Sequence, residues 1–186
     1  MKSDKIIFLE KAVLGRNTNF RESEEVIKAC INIAYRDMLT AGRFYLSNEM
    51  KERCTEFKEI LEKRNYCYDN KLIDVTLRIF GDDEKISNGK SFVTRYGLAQ
   101  KLVNMTYKYF WIFSEYIDKK IDFSHCGCPL DSIILGELRI KTPVWSKIEK
   151  DDYVKVQNMI ATRLKQTVLT EDLKDLGNLA FDFLNW

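Results

Sequence analysis

The sequence has few residues that break regular structure, and it has only one histidine. Its 186 residues include two prolines and eight glycines, whereas 45% are hydrophobic and 31% are charged. This composition is typical of a folded chain and excludes a disordered or low-complexity protein. The hydrophobic runs are also short, and none approaches the roughly 20 residues that a membrane-spanning helix needs. We therefore expect a folded protein that does not cross a membrane.

An excess of charge is lacking as well, since the net charge is only +2. This value neither requires nor excludes a polyanionic partner, because binding depends on how charges cluster. The five cysteines are an odd number, and no secretory hydrophobic segment is visible near the first methionine. We therefore expect reduced thiols and a cytoplasmic location.

Several compact motifs of enzymes are missing from the sequence. It contains no Walker loop, no dinucleotide-binding Gly-x-Gly-x-x-Gly, no metalloprotease His-Glu-x-x-His and no Gly-x-Ser-x-Gly elbow. The cysteines do not form an iron–sulfur array either. No cofactor is therefore expected.

Apolar residues recur every three or four positions through most of the chain, which is the spacing of helices buried on one face. The predicted helices cover residues 21–39, 48–63, 72–81, 98–117, 130–138 and 147 or 150 to 165, followed by a last helix after Thr170. Residues 146–149 fit a capping box, Ser-x-x-Glu, before the sixth helix. A strand is an alternative at residues 73–80, and residues 6–9 form a short helix or a strand. We expect an irregular all-α globule.

The chain forms a single domain, residues 1–186, in this interpretation. A polar loop at residues 82–90 is the candidate for a hinge between lobes. The helix at residues 98–117 is apolar around much of its circumference, so it is expected at the centre of the fold.

Pro129 suits the first turn of the helix at residues 130–138, because its missing N–H has no partner there in any case. Asp131 then lies in that first turn, where unpaired N–H groups and the helix dipole favour an ionised carboxylate. Asp131 is therefore either an ordinary first-turn acid or an acid with a function.

The segment His125-Cys126-Gly127-Cys128 has side chains that can bind zinc. A closed zinc site needs a further ligand, and the sequence has no Cys-x-x-Cys partner motif. Structural cysteines without a metal are the favoured interpretation.

Residues 100–110, QKLVNMTYKYF, are followed by the segment CPLD, which ends at Asp131, thirty positions after Lys101. The stretch at residues 97–138 resembles the catalytic half of helix-hairpin-helix DNA glycosylases, and especially their archaeal 8-oxoguanine branch. The resemblance implies a glycosylase-like fold and a role in DNA repair on damaged double-stranded DNA. It implies that Lys101 is the nucleophile that forms a Schiff base with the sugar of an extruded nucleoside, and that Asp131 stabilises positive charge on that sugar.

The same resemblance implies DNA contacts beside this pair. Gly97 corresponds to the glycine of the hairpin whose backbone N–H approaches a phosphate, and Arg95 and Lys90 can assist it. Trp145 lies in the turn at residues 142–146, where an aromatic side chain can cover the mouth of a pocket or stack on a base.

A second hypothesis is a small helical protein-interaction or regulatory protein without enzymatic activity. In it, Lys101 is a solvated side chain and surface aromatic residues contact a protein partner. Geometry separates the two hypotheses, because only the enzyme requires Lys101 and Asp131 to face one cleft.

Overall fold

The computed structural model describes residues 22–41, 47, 49–69, 71–81, 93–141 and 143–185. These residues form seven α-helices and no strand, so the prediction of an all-α fold is confirmed. The helices are α1 (Ser23–Met38), α2 (Met50–Lys63), α3 (Leu72–Thr76), α4 (Arg95–Ile112), α5 (Ser132–Glu137), α6 (Lys150–Leu164) and α7 (Leu179–Leu184). Short 3₁₀ helices cover Leu39–Ala41, Leu77–Phe80, Ser114–Tyr116 and Trp145–Lys147. No helix in the described ranges is both long and apolar enough to span a membrane.

Helix α4 lies at the centre of the molecule, as its composition predicted. Of its 18 residues, 16 are buried, and α1 makes the most extensive contacts with it. A helix surrounded in this way cannot place its polar side chains in water, so each of them needs a partner within the fold.

Helix α4 begins at Arg95, earlier than predicted, because Thr94 caps it. The Thr94 hydroxyl accepts a hydrogen bond from the Gly97 N–H at 3.0 Å and donates one to the Ile148 carbonyl at 2.7 Å. The helix ends at Ile112, and a separate 3₁₀ turn follows it at Ser114–Tyr116.

Helix α5 begins at Ser132, so the prediction that Pro129 and Asp131 lie in its first turn is wrong. Asp131 is the N-cap residue instead, and Pro129 belongs to the segment that leads to it. The carboxylate Oδ1 of Asp131 accepts hydrogen bonds from the N–H groups of Ile133 and Ile134, at 2.9 and 3.0 Å. Asp131 therefore defines where the helix starts.

Three other predictions of local structure are corrected. The strand alternative for residues 73–80 is wrong, because α3 continues as the 3₁₀ helix Leu77–Phe80. The capping box is wrong, because Ser146 lies in a 3₁₀ helix and Glu149 is the N-cap residue of α6. The last helix starts at Leu179, after a series of turns. The predictions for residues 6–9 and for the loop at 82–90, with Lys90, lie outside the described residues.

Candidate functional site

A cleft with a volume of about 470 Å³ lies along one side of α4. This volume is in the range of small-molecule sites in proteins. The cleft, called the Lys101 cleft below, is lined by Arg36, Asp37, Thr40, Lys101, Met105, Lys108, Tyr109, Asp131, Ser132, Ile133, Ile134, Trp145, Asp182 and Asn185. Lys101 and Asp131 thus share one cleft, which is the geometry that the enzyme hypothesis requires.

Lys101 and Asp131 form an ion pair, with 2.9 Å between Lys101 Nζ and Asp131 Oδ2. The Lys101 side chain is only 6% exposed, whereas that of Asp131 is 25% exposed. The interpretation of Lys101 as a solvated lysine is therefore wrong. The buried ammonium depends on the carboxylate for its charge compensation.

Asp131 uses its two oxygen atoms differently, since Oδ1 caps α5 and Oδ2 contacts Lys101. Burial by itself raises the pKa of the Asp131 carboxyl. The charge of Lys101 and the hydrogen bonds from the Ile134 and Ile133 N–H groups outweigh burial and hold the pKa below its ordinary value. Asp131 is therefore an anion at neutral pH.

The segment from Cys126 to Asp131, called the arm below, is held by side-chain amides of α4 and α6. Gln100 Nε2 donates to the Leu130 carbonyl at 3.1 Å, and the Leu130 N–H donates to Gln100 Oε1 at 3.1 Å. Gln157 binds Cys128 in the same way, at 2.8 and 3.0 Å. These paired bonds fix the backbone that leads to Asp131.

A second buried ion pair lines the Lys101 cleft, and it was not found from the sequence. Lys108 Nζ lies 2.6 Å from Asp182 Oδ2, and the two side chains are 5% and 7% exposed. Burial raises the pKa of the Asp182 carboxyl, and the charge of Lys108 only partly opposes this shift. Lys108 follows Lys101 by seven residues and so lies on the same face of α4, which was the one signal in the sequence.

Two aromatic residues, Tyr109 and Trp145, also line this cleft. The Tyr109 hydroxyl donates to Asp37 Oδ2 at 2.5 Å, which joins α4 to the end of α1. Trp145 is half-buried and lies in a 3₁₀ helix. The indole of Trp145 is therefore available to a bound ligand, and its contact with DNA stays a prediction.

The structure gives Gly97 and Arg95 contacts within the protein. Gly97 is buried, and an added Cβ would lie 2.8 Å from the Trp145 carbonyl oxygen. Because its N–H already donates to Thr94, the predicted phosphate contact at Gly97 conflicts with this arrangement. Arg95 Nη1 donates to the Gly81 carbonyl at 2.9 Å. A phosphate contact by Arg95 stays a prediction.

Cys126 and Cys128 are buried, and burial raises the pKa of both thiols well above the ordinary value. Thiols in this state are poor metal ligands, because the thiolate is the form that binds. In the part of the chain that the structure describes, no three His, Cys, Asp or Glu residues are arranged to hold a metal ion.

Two larger grooves are also present on the described surface. One, of about 790 Å³, lies between α1 and α2, and another, of about 660 Å³, lies beside Trp111 and Leu176. The charged side chains that line these grooves are half-buried or exposed. The buried lysine–aspartate pairs therefore distinguish the Lys101 cleft from both.

Comparison of the chain with known protein families, with curated proteins and with solved structures finds no match. The function is therefore inferred from the side chains of the Lys101 cleft.

Proposed function

We propose that this protein binds an extruded, damaged nucleoside of DNA in the Lys101 cleft and removes its base. The observation that carries this proposal is the contact between a buried lysine amine and a helix-capping carboxylate, in the wall of a cleft of about 470 Å³. The resemblance of residues 97–138 to helix-hairpin-helix glycosylases assigns the same two residues to catalysis.

The proposed chemistry uses Lys101 as the proton donor and then as the nucleophile. The bond between the sugar C1′ and the base nitrogen breaks, and the base leaves with the electron pair and takes a proton from the Lys101 ammonium. The carboxylate of Asp131 stabilises the positive charge that develops on the sugar. The neutral amine then donates its electron pair to C1′ and forms a carbon–nitrogen bond.

Opening of the sugar ring completes the covalent intermediate. The C1′–O4′ bond breaks, a proton moves from the lysine nitrogen to O4′, and a protonated Schiff base remains. Borohydride reduces this species to a stable amine, so the intermediate can be trapped. The low exposure of Lys101 keeps water away from the reacting atoms.

In this proposal the second ion pair, Lys108 and Asp182, contacts the base. Seven residues separate Lys101 from Lys108, which is about 10 Å along the axis of an α-helix. In this proposal the sugar lies at the Lys101–Asp131 end and the base lies towards Lys108 and Asp182. Lysine offers hydrogen-bond donors and an aspartate offers acceptors, or a donor when it is protonated, which suits the edge of a flipped base.

The decisive experiment is borohydride trapping on a panel of duplexes, each with one lesion: an oxidised purine, an oxidised pyrimidine, a uracil or an abasic site. We expect a covalent adduct with the wild-type protein and none with Lys101→Ala. Lys155→Ala is the matched control, because the Lys155 side chain is 74% exposed on α6, and this variant should trap like wild type. Wild-type protein that forms no adduct across the panel contradicts the proposal.

Binding measured at several salt concentrations tests the DNA partner separately. We expect the affinity for lesion-containing duplex to fall as salt rises, because phosphate contacts release counterions. Absence of DNA binding, together with a stable complex with another protein, supports the protein-interaction hypothesis instead.

A further inference from the structure

The arm reaches Asp131 through the interior of the protein, where its backbone polar groups cannot bond to water. Gln100 and Leu130 are fully buried, and the Gln100 amide meets both backbone groups of Leu130. A side-chain amide that donates to the carbonyl and accepts from the N–H of one residue acts like the backbone of a neighbouring strand. The two bonds together restrict both translation and rotation of the Leu130 peptide.

We propose that Gln100 is a positioning residue that sets the distance between the Lys101 amine and the Asp131 carboxylate. This inference rests on the proposed function for its catalytic consequence. Its geometric basis is that Gln100 and Lys101 are consecutive in α4, whereas Leu130 and Asp131 are consecutive in the arm. The two hydrogen bonds of the Gln100 amide therefore join α4 to the arm. On each of the two segments, the joined residue comes immediately before the residue of the ion pair.

The surroundings of Gln100 fix the orientation of its amide. Asn104 Nδ2 lies 3.4 Å from Gln100 Oε1, so a donor faces that atom and identifies it as the oxygen. Asn104 Nδ2 also donates to the Cys128 carbonyl at 3.2 Å. A glutamate at position 100 would place a second oxygen against the Leu130 carbonyl. A methionine would fill the space but form neither bond.

Gln157 is a matched comparison within the same protein. It forms the same paired bonds with Cys128, three residues before Asp131, and Asn178 Nδ2 donates to its Oε1 at 2.9 Å. Loss of its amide loosens the arm but leaves the Leu130 peptide attached to α4. A purely structural role for Gln100 predicts that Gln100→Met and Gln157→Met have equal effects on the ion pair.

The first test is an NMR titration of the Asp131 carboxyl, assigned by the loss of its signal in Asp131→Asn. Lys101 faces this carboxyl from α4, and Lys108 and Asp182 are charged groups farther along the cleft. We expect Gln100→Met to move the Asp131 titration to higher pH, because the carboxylate loses its contact with the ammonium. Gln157→Met should move it much less. An unchanged titration in Gln100→Met, or equal shifts in the two variants, overturns the proposal.

The second test is the rate of adduct formation under single-turnover conditions. We expect Gln100→Met to slow trapping by about 100-fold while DNA affinity is unchanged, because a shift of about 1 Å in reacting groups has a cost of this size. A loss of affinity with an unchanged trapping rate contradicts the positioning role. Should Gln100→Met fail to fold, Gln100→Asn, with an amide one methylene shorter, replaces it under the same criteria.

The two proposals fail in different ways. A shifted Asp131 titration without any wild-type adduct keeps the geometric role of Gln100 and rejects base excision. A wild-type adduct with an unshifted titration in Gln100→Met keeps base excision and rejects the role of Gln100.

Discussion

At the scale of single residues, Asp131 serves both the fold and the proposed chemistry. Its Oδ1 caps α5, and its Oδ2 compensates the charge of Lys101. Asparagine is as good an N-cap residue as aspartate, so Asp131→Asn keeps the cap and replaces the charged acceptor that faces Lys101 with a neutral NH₂ group. The variant therefore tests the contribution of the ion pair to stability.

We expect Asp131→Asn to lower the free energy of unfolding by about 2 kcal/mol at neutral pH, between the values for exposed and fully buried pairs. The folded carboxyl has a lowered pKa and so binds a proton less tightly than the unfolded one. The stability it contributes is complete above the unfolded pKa near 4 and is lost as the pH falls through the folded pKa.

The measurement is urea denaturation of both proteins at a series of pH values from neutral to about 2. The difference between them should shrink as the pH falls, because the wild-type carboxyl also becomes neutral. If the difference in unfolding free energy between the two proteins grows on acidification, Asp131 does not stabilise the fold through its ion pair with Lys101.

At the scale of elements, the first turn of α4 is packed directly under the 3₁₀ helix Trp145–Lys147. A Cβ at Gly97 would lie 2.8 Å from the Trp145 oxygen and 2.9 Å from the Ser146 oxygen. The Thr94 N–H also donates to the Ser146 carbonyl at 2.8 Å, so this backbone cannot withdraw without loss of a bond. Only glycine allows this close approach.

We expect Gly97→Ala to destabilise the protein by about 2 kcal/mol, as overpacked sites do. Gly136 in α5 is the control, because no described atom beyond its chain neighbours and the backbone of its own helix lies within 4 Å of its Cβ position. Gly136→Ala should be neutral or stabilising by about 0.5 kcal/mol, since alanine is the better helix former. Urea denaturation of the two variants compares them, and equal effects would contradict the packing role of Gly97.

The periodicity of the sequence predicted the long helices because each buries a broad apolar face. For α1 and α2 the predicted ends lie within two residues of the observed ones. The predicted ends of α5 also lie within two residues of the observed ones, whereas the last helix was predicted to begin too early, because contacts from distant residues decide where it starts. Gly177 illustrates this: its positive φ of 54° interrupts the last predicted helix, and the Leu179 N–H donates to the Cys126 carbonyl.

The same distinction applies to the candidate site. The resemblance of residues 97–138 to a known family predicted that Lys101 and Asp131 share one cleft, and they do; their catalytic role stays a prediction. The sequence did not indicate that Gln100 joins their backbones or that Asp182 pairs with Lys108. Both contacts depend on how α4 packs against segments far away in the chain, and no local pattern reports such packing.

At the scale of the whole molecule, one hydrophobic cluster extends through the described residues. It contains side chains from both sides of residues 82–92, such as Ile27 and Phe57 before them and Phe110 and Ile160 after them. The extensive contact between α1 and α4 joins the two parts. This shared core favours unfolding as a single unit.

We therefore expect one cooperative transition in urea, with coincident curves from far-ultraviolet circular dichroism and tryptophan fluorescence. Trp111 lies in the last turn of α4 and Trp145 lies beside its first turn, so both report from the part of the chain after residue 92, whereas circular dichroism reports from all helices. Two separated transitions would instead support two lobes, one before and one after residues 82–90, that unfold independently.

Under the proposed function, the closed contact between Lys101 and Asp131 has a consequence for fidelity. The Lys101 amine and the Asp131 carboxylate are 2.9 Å apart, so a sugar can bind between them only after the two groups separate. Only a sugar whose bond to its base is already weak develops enough positive charge to replace the ammonium as the electrostatic partner of the carboxylate. The Lys101–Asp131 ion pair itself would therefore exclude intact nucleosides, and substrate selection would precede the chemical step.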